Sequence, residues 1–252
     1  MASRFRLWAA AVLAFGLVFS GPAAASPIRV AVDATWPPME FEDQSGRIVG
    51  YSVDFFQAVC REAGCELEIL KVDWDDIFSG LKQGRWDMVV SSVTITPERR
   101  REMNFSIPYY IVRQSLVTPA DSTHTSPRQL KGRPVGVMGG TTAADVLAQT
   151  SEAVVVPFPE IGDAIAALGQ GEVEAVVCED IVAQAFLAEP AYAGRLKIAA
   201  VIETPGAEEL YGAAFRREDL ELLIMINDGI KALRDKGLDE AIRSKWFGAA
   251  GS

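Results

Sequence analysis

The sequence predicts an α/β protein of two lobes, each a mainly parallel sheet flanked by helices, with two hinge crossovers between them. Three observations predict it. Strand-like apolar runs alternate with amphipathic helical runs, the pattern that gives parallel sheets with helical connections. The series occurs twice, once from Ile28 and again from Pro134. Between the two series Pro108, Tyr109, Tyr110, Ile111 and Val112 are extended by composition and form a first crossing, and a second is expected around Ile198 to Tyr211.

In chain order, the first element reads as a secretory signal over residues 1–25. Arg4 and Arg6 precede an apolar run from Leu7 to Phe19, and Ala23 and Ala25 fit an A-x-A cleavage site before Ser26. The run is short for a membrane span, and no later stretch approaches the roughly 18 apolar residues a spanning helix needs. No Cys follows the cleavage site to carry a lipid, and the arginines are not paired as in a twin-arginine signal. Release into the periplasm is therefore expected. Cleavage removes two arginines and no acid, so the formal net charge moves from −10 to −12. Such a surface argues against nucleic acid, whose binding needs a basic footprint.

The first series then runs through a strand Ile28 to Val32, a helix near Val53 to Ala63, a strand Leu67 to Val72, a helix near Asp75 to Gln83 and a strand Asp87 to Val90. The second has a strand Val135 to Met138, a helix from about Ala143, a strand Ala153 to Val156, a helix near Ile161 to Leu168 and a strand Ala175 to Val177. From Asp219 to Phe247 the pattern is helical, with Leu223, Ile226, Ile230 and Leu233 at helical spacing and Lys236 before Gly237 at a terminus. Docking of this tail on the first half would leave a cleft between two lobes. Cys60 and Cys65 flank Gly64, where a helix can end, and bridge only if the chain turns back there, so a disulfide and two free thiols both stand as readings. Cys178 reads as a buried apolar filler.

Chemistry-bearing residues gather where strands end. Ser91, Ser92, Val93, Thr94, Ile95, Thr96, Pro97, Glu98 and Arg99 follow the apolar Met88 to Val90. Thr96 suits an N-cap and Pro97 the first helical position, which puts Arg99 in the first turn. A guanidinium fork there, with Thr94 and free backbone N–H groups, makes a carboxylate receptor, and an ordinary capped helix with surface arginines is the plainer reading. Trp36 follows Asp33 in a loop stiffened by Pro37 and Pro38, and Trp74 precedes a helix after the next strand. Both rings belong at strand C-terminal ends, where α/β sheets bind ligands, and either packs across the sheet end or clasps a ligand side chain whose cationic head Asp33 neutralises. Gly139, Gly140, Thr141 and Thr142 offer a second set of hydroxyls and N–H groups, while Glu179 and Asp180 follow a strand and offer a carboxylate to an ammonium. His124 is the sole histidine and lies in a polar linker, so no nucleophile–base pair and no metal cluster is expected.

Taken together, the segments resemble the family 3 extracellular solute-binding proteins, the amino-acid receptors of ABC importers. The resemblance covers Ser26 to Phe247 and is carried by Gly50, Tyr51, Ser52, Val53, Asp54 and Phe55, by the run from Trp74 through Gly80, Leu81, Gly84, Asp87 and Ser91 to Arg99, and by Phe105, Ser106, Pro108, Tyr109 and Tyr110. It implies a periplasmic binding protein fold, with one lobe made of 26–111 and 206–252 and the other of 112–205. It implies capture of a free polar L-amino acid, basic ones included, by a single chain without cofactor, and delivery to a membrane permease. Arg99 would take the α-carboxylate with Thr94 and Thr142, Ser92 would contribute to the α-ammonium site, Ser91 and Thr141 would line the site, Trp36 and Trp74 would flank the side chain, and Asp33 would reach toward its head. Ser52 stands where the family usually has an acid, which touches only a local surface contact. The family's ammonium-binding Asp falls on Glu179, beside Asp180. Some relatives are cyclohexadienyl dehydratases, so an arogenate dehydratase-like enzyme with Glu179 as general acid is the alternative.

Overall fold

A computed structural model describes residues 26–202 and 209–248. The expected signal segment and part of the second crossing, 203–208, lie outside the described residues. Two five-stranded sheets share one plan. In the first, the spatial order is Leu67–Lys71, Ile28–Val32, Met88–Val89, Ala214–Phe215 and Asn104–Phe105. In the second it is Val154–Phe158, Pro134–Met138, Ala175–Glu179, Gln114–Pro119 and Leu196–Val201. Three strands of each are parallel, as the alternating pattern requires, and a strand that has just crossed between lobes joins them antiparallel.

Gln114–Pro119 and Leu196–Val201 were not foreseen as strands, nor was Asp180–Ala188 as a helix. The polar Gln114 and Ser115 open a strand that is buried on both faces up to Thr118, a burial that the apolar pattern does not announce. Beyond these sheets, Tyr110–Val112 and Glu209–Tyr211 pair antiparallel, Tyr110 opposite Tyr211 and Val112 opposite Glu209, and form the ribbon through which the chain passes between lobes.

Helix Tyr51–Ala63 ends at Gly64, whose φ of 71° is a left-handed conformation that glycine takes without a Cβ penalty. The reversal sends Cys65 back over Cys60, with 4.8 Å between their Cα atoms, and the two are bridged. Cys178 is a free, buried thiol. The tail forms two helices, Leu220–Asp235 and Leu238–Phe247, broken at Gly237. Ile226, Ile230 and Leu233 pack with Phe55, Phe56 and Val59, so the tail docks on the first lobe. At Gly229 the helices approach so closely that a Cβ would stand 2.8 Å from the Val59 carbonyl oxygen.

Two local expectations are corrected. The stretch after Asp33 is not a loop but a small antiparallel meander of Thr35–Trp36, Glu40–Glu42 and Ile48–Val49, with Trp36 opposite Glu40. Ser52 is not at the surface. It lies in the first turn of its helix, fully buried, with its hydroxyl 3.1 Å from the Tyr109 hydroxyl, because the first crossing passes over that turn.

Candidate functional site

The two sheets face each other with their strand C-terminal ends toward one cleft, lined by Trp36, Trp74, Ser91, Ser92, Thr94, Arg99, Thr141, Thr142 and Glu179. The lobes meet here in a shared apolar cluster, in which Trp36, Trp74 and Ile77 join Met138 and Ile161.

The run after Met88–Val89 builds one wall. Ser91 Oγ accepts from the Asp33 N–H at 2.8 Å and fixes the end of the first strand. Ser92 has φ 48°, the only left-handed non-glycine among the described residues, and its Oγ is buried beside Glu40 and Tyr109. Such a residue costs about 1–3 kcal/mol and persists where its surroundings hold it, commonly at binding sites. Thr96 caps helix Pro97–Glu102 by accepting from the Arg99 N–H at 3.2 Å. Arg99 then turns inward: Nη1 donates to the Thr94 carbonyl at 2.9 Å and Nη2 to the Gly140 carbonyl at 3.4 Å. Its guanidinium stands 5.6 Å from the Trp74 ring centre and 5.3 Å from that of Phe78. Burial lowers its pKa, opposed by the charges of Glu179 and Glu209. Carbonyl oxygens and ring faces, rather than a carboxylate, hold this cation.

Trp74 opens helix Trp74–Lys82, and its Nε1 donates to Gly140 at 3.4 Å. Gly140 has φ +70°, and a Cβ there would stand 3.2 Å from that nitrogen, so glycine serves both the turn and the approach. Thr142 begins helix Thr142–Thr150 and donates from Oγ1 to Glu209 Oε2 at 2.8 Å. The Thr141 hydroxyl instead turns back to the Met138 carbonyl at 2.9 Å.

Glu179 ends its strand in the opposite wall. Gln114 Nε2 donates to its Oε1 at 3.3 Å, while Oε2 is buried without a partner among the described residues. Burial, reinforced by Glu209, pushes its pKa up to about 7. Asp180 faces elsewhere: it lines a separate groove with Tyr110 and Trp246, and its Oδ1 accepts from the N–H groups of Ile181 and Arg113.

Asp33 does not line this cleft. It belongs to an adjoining opening of about 250 Å³ on the other side of Trp74, with Asp73, Asp75, Pro159 and Glu160. The Ser91 contact turns the end of the strand that way, and burial raises the Asp33 carboxyl to about 6.

Sequence reasoning missed Glu40, Gln114 and Glu209. Glu40 is fully buried beside Ser92 and Ser52, and burial pushes it up to about 8 against the opposing effect of those hydroxyls. The one local signal was an acid set between Met39 and Phe41. Gln114 and Glu209 sit where the crossings enter the cleft, which only the paired topology reveals.

Asp33, Glu40 and Glu179 all hold protons more tightly folded than unfolded, so the folded state binds more protons between about pH 4 and 8. Stability without ligand therefore falls as pH rises through that window. The expected melting midpoint is several degrees higher at pH 5.5 than at pH 8, read by differential scanning calorimetry. A midpoint that climbs over this range would show that these carboxyls are not desolvated.

Among the described residues no group of three or more His, Cys, Asp and Glu is arranged to hold a metal, and no helix is long and apolar enough to cross a membrane.

Comparison with known proteins agrees with this architecture. A putative ABC transporter arginine-binding protein 2 of Escherichia coli K12 is 31% identical over 229 residues, 89% of this chain and 92% of the relative. An L-cystine-binding protein of the same strain is 29% identical over 88% of this chain and 83% of its own length. The solved structure of an ancestral arginine-binding protein bound to arginine superposes with a TM-score of 0.83 at 31% identity, over 90% of this chain and all of that one. The model of the bacterial extracellular solute-binding proteins, family 3, matches residues 28–249. With a match of that extent and two lobes enclosing the cleft, this chain belongs to the bacterial extracellular solute-binding proteins, family 3.

Proposed function

We propose that this chain captures a free L-amino acid with a cationic side chain between its lobes and hands it to the membrane permease of an ABC transporter. One observation carries the reading. A half-buried guanidinium without a carboxylate in its hydrogen bonds, Arg99, and a buried carboxyl with an unpaired oxygen, Glu179, line the same cleft. An α-amino acid offers the carboxylate and the ammonium that complete both, with Thr94 and Thr142 serving the carboxylate. Trp74 separates this cleft from the acidic opening of Asp33, Asp73, Asp75 and Glu160, so a long side chain passing the Trp36 and Trp74 rings brings a cation among carboxylates. The names of the relatives, arginine-binding above all, support the same class.

In this reading residues 1–25 are a cleaved signal and the periplasm is the site of action. The chain works as a monomer with lobes 26–111 plus 206–252 and 112–205, and closure is a hinge motion at the ribbon of Tyr110–Val112 and Glu209–Tyr211. The protein acts by binding alone. The dehydratase alternative has less support, since the relatives are named for binding.

A thermal-shift screen of the common amino acids tests the reading, because a ligand bound only by the folded state raises the midpoint. L-arginine and L-lysine are expected to raise it and L-glutamate to leave it unchanged. A screen without any shift, or one led by an acidic amino acid, would overturn the proposal.

A further inference from the structure

Glu209 begins the strand Glu209–Tyr211 that carries the chain back toward the first sheet. Its Oε2 accepts three hydrogen bonds, from Thr142 Oγ1 at 2.8 Å, Thr94 Oγ1 at 3.1 Å and Gln114 Nε2 at 3.1 Å. The donors come from both sides of the cleft. Thr94 follows the first sheet and bridges to Tyr211, whereas Gln114 and Thr142 belong to the second lobe. One carboxyl group of the chain thus ties the two lobes together. Thr94 and Thr142, whose hydroxyls it holds, line the cleft together with Arg99 and Glu179.

Proton counting sets the consequence. A threonine hydroxyl has one hydrogen to donate. Thr94 and Thr142 give theirs either to Glu209 or to another carboxylate, not to both at once. We propose that Glu209 is an internal competitor of the ligand: its side chain occupies the hydroxyls that an incoming α-carboxylate needs, holds the lobes together without ligand, and has to swing away when the amino acid enters. The proposal rests on the reading that Thr94 and Thr142 serve the ligand carboxylate. It assigns Glu209 a positioning role that lowers affinity, the reverse of what an acid lining a cationic site would do by direct contact.

The test uses the full mature chain with Glu209→Ala, Glu209→Gln and Thr142→Val, L-arginine as probe, calorimetry for affinity and small-angle scattering for shape. Glu209→Ala is expected to bind L-arginine about tenfold more tightly than wild type, the equivalent of roughly one hydrogen bond of competition. Its ligand-free radius of gyration should exceed that of the wild type, and ligand should restore it. Glu209→Gln keeps the shape of the side chain and should fall between the two, which covers poor folding of the alanine variant. With Glu209 present, Thr142→Val costs a bond in both states and is expected to change binding little; in the Glu209→Ala background it is expected to weaken binding about tenfold. If it leaves binding unchanged in that background, the hydroxyl assignment fails and the proposal with it. If it weakens binding there while both Glu209 variants alone also weaken it or leave it unchanged, the proposal alone fails. Should L-arginine give no heat, the scattering decides: an unchanged ligand-free radius in both Glu209 variants overturns the proposal.

Discussion

Arg99→Ala is expected to abolish every amino-acid-induced thermal shift while leaving the ligand-free melting midpoint within a few degrees of wild type. Loss of one partner of a buried, hydrogen-bonded charge pair costs about 2–5 kcal/mol of binding, a factor of roughly 30 to several thousand. The ligand-free cost is small for a reason visible in the geometry. Arg99 is half-buried, its pKa is lowered by burial, and its hydrogen bonds go to the carbonyls of Thr94 and Gly140. Removing it gives up two neutral acceptors and two ring contacts but also relieves a buried charge. A structural arginine would behave the other way, with stability lost and residual binding kept. The thermal shift of purified variant with and without L-arginine separates the two, and an unaltered shift would remove Arg99 from the carboxylate site.

Glu179→Gln is expected to weaken L-arginine binding about a hundredfold and to erase its pH dependence. Glutamine retains the size of the side chain and a contact with Gln114, so the change isolates charge. In the wild type, burial holds Glu179 at about 7, and only the ionised form pairs with an ammonium. Binding of the cation favours the ionised carboxylate, so protons are released on binding and affinity rises with pH. For a group titrating near 7 the affinity at pH 8 is about tenfold that at pH 6. Calorimetry at both values, on wild type and variant, reads the difference directly. An affinity independent of pH in the wild type would mean that Glu179 is not the ammonium partner.

The parts of the site written in consecutive residues were legible. Thr96, Pro97 and Arg99 announce a capped helix with an inward arginine because capping is local chemistry, and Trp36 and Trp74 announce themselves by following strands. The Cys60–Cys65 disulfide is not legible from spacing because it depends on the left-handed turn at Gly64. What stayed hidden depends on segments far apart in the chain. Glu209 enters the cleft because its strand pairs with Tyr110–Val112, some hundred residues earlier. Ser52 is buried because Tyr109 crosses it, and Glu40 is buried because the meander folds under Ser92. Asp33 reads as a neighbour of Trp36, yet its contact with Ser91 places it past Trp74, in the adjoining opening rather than in the cleft lined by Arg99 and Glu179.

The central claim is that one cleft holds both charges of an amino acid, the carboxylate at Arg99 and the ammonium at Glu179. Calorimetric titration of the purified protein with L-arginine, with its decarboxylated form agmatine and with its desamino analogue tests that claim most directly. The account predicts one-to-one binding of L-arginine and a loss of at least about a hundredfold for either truncated molecule. Agmatine or the desamino analogue binding as tightly as L-arginine would contradict it.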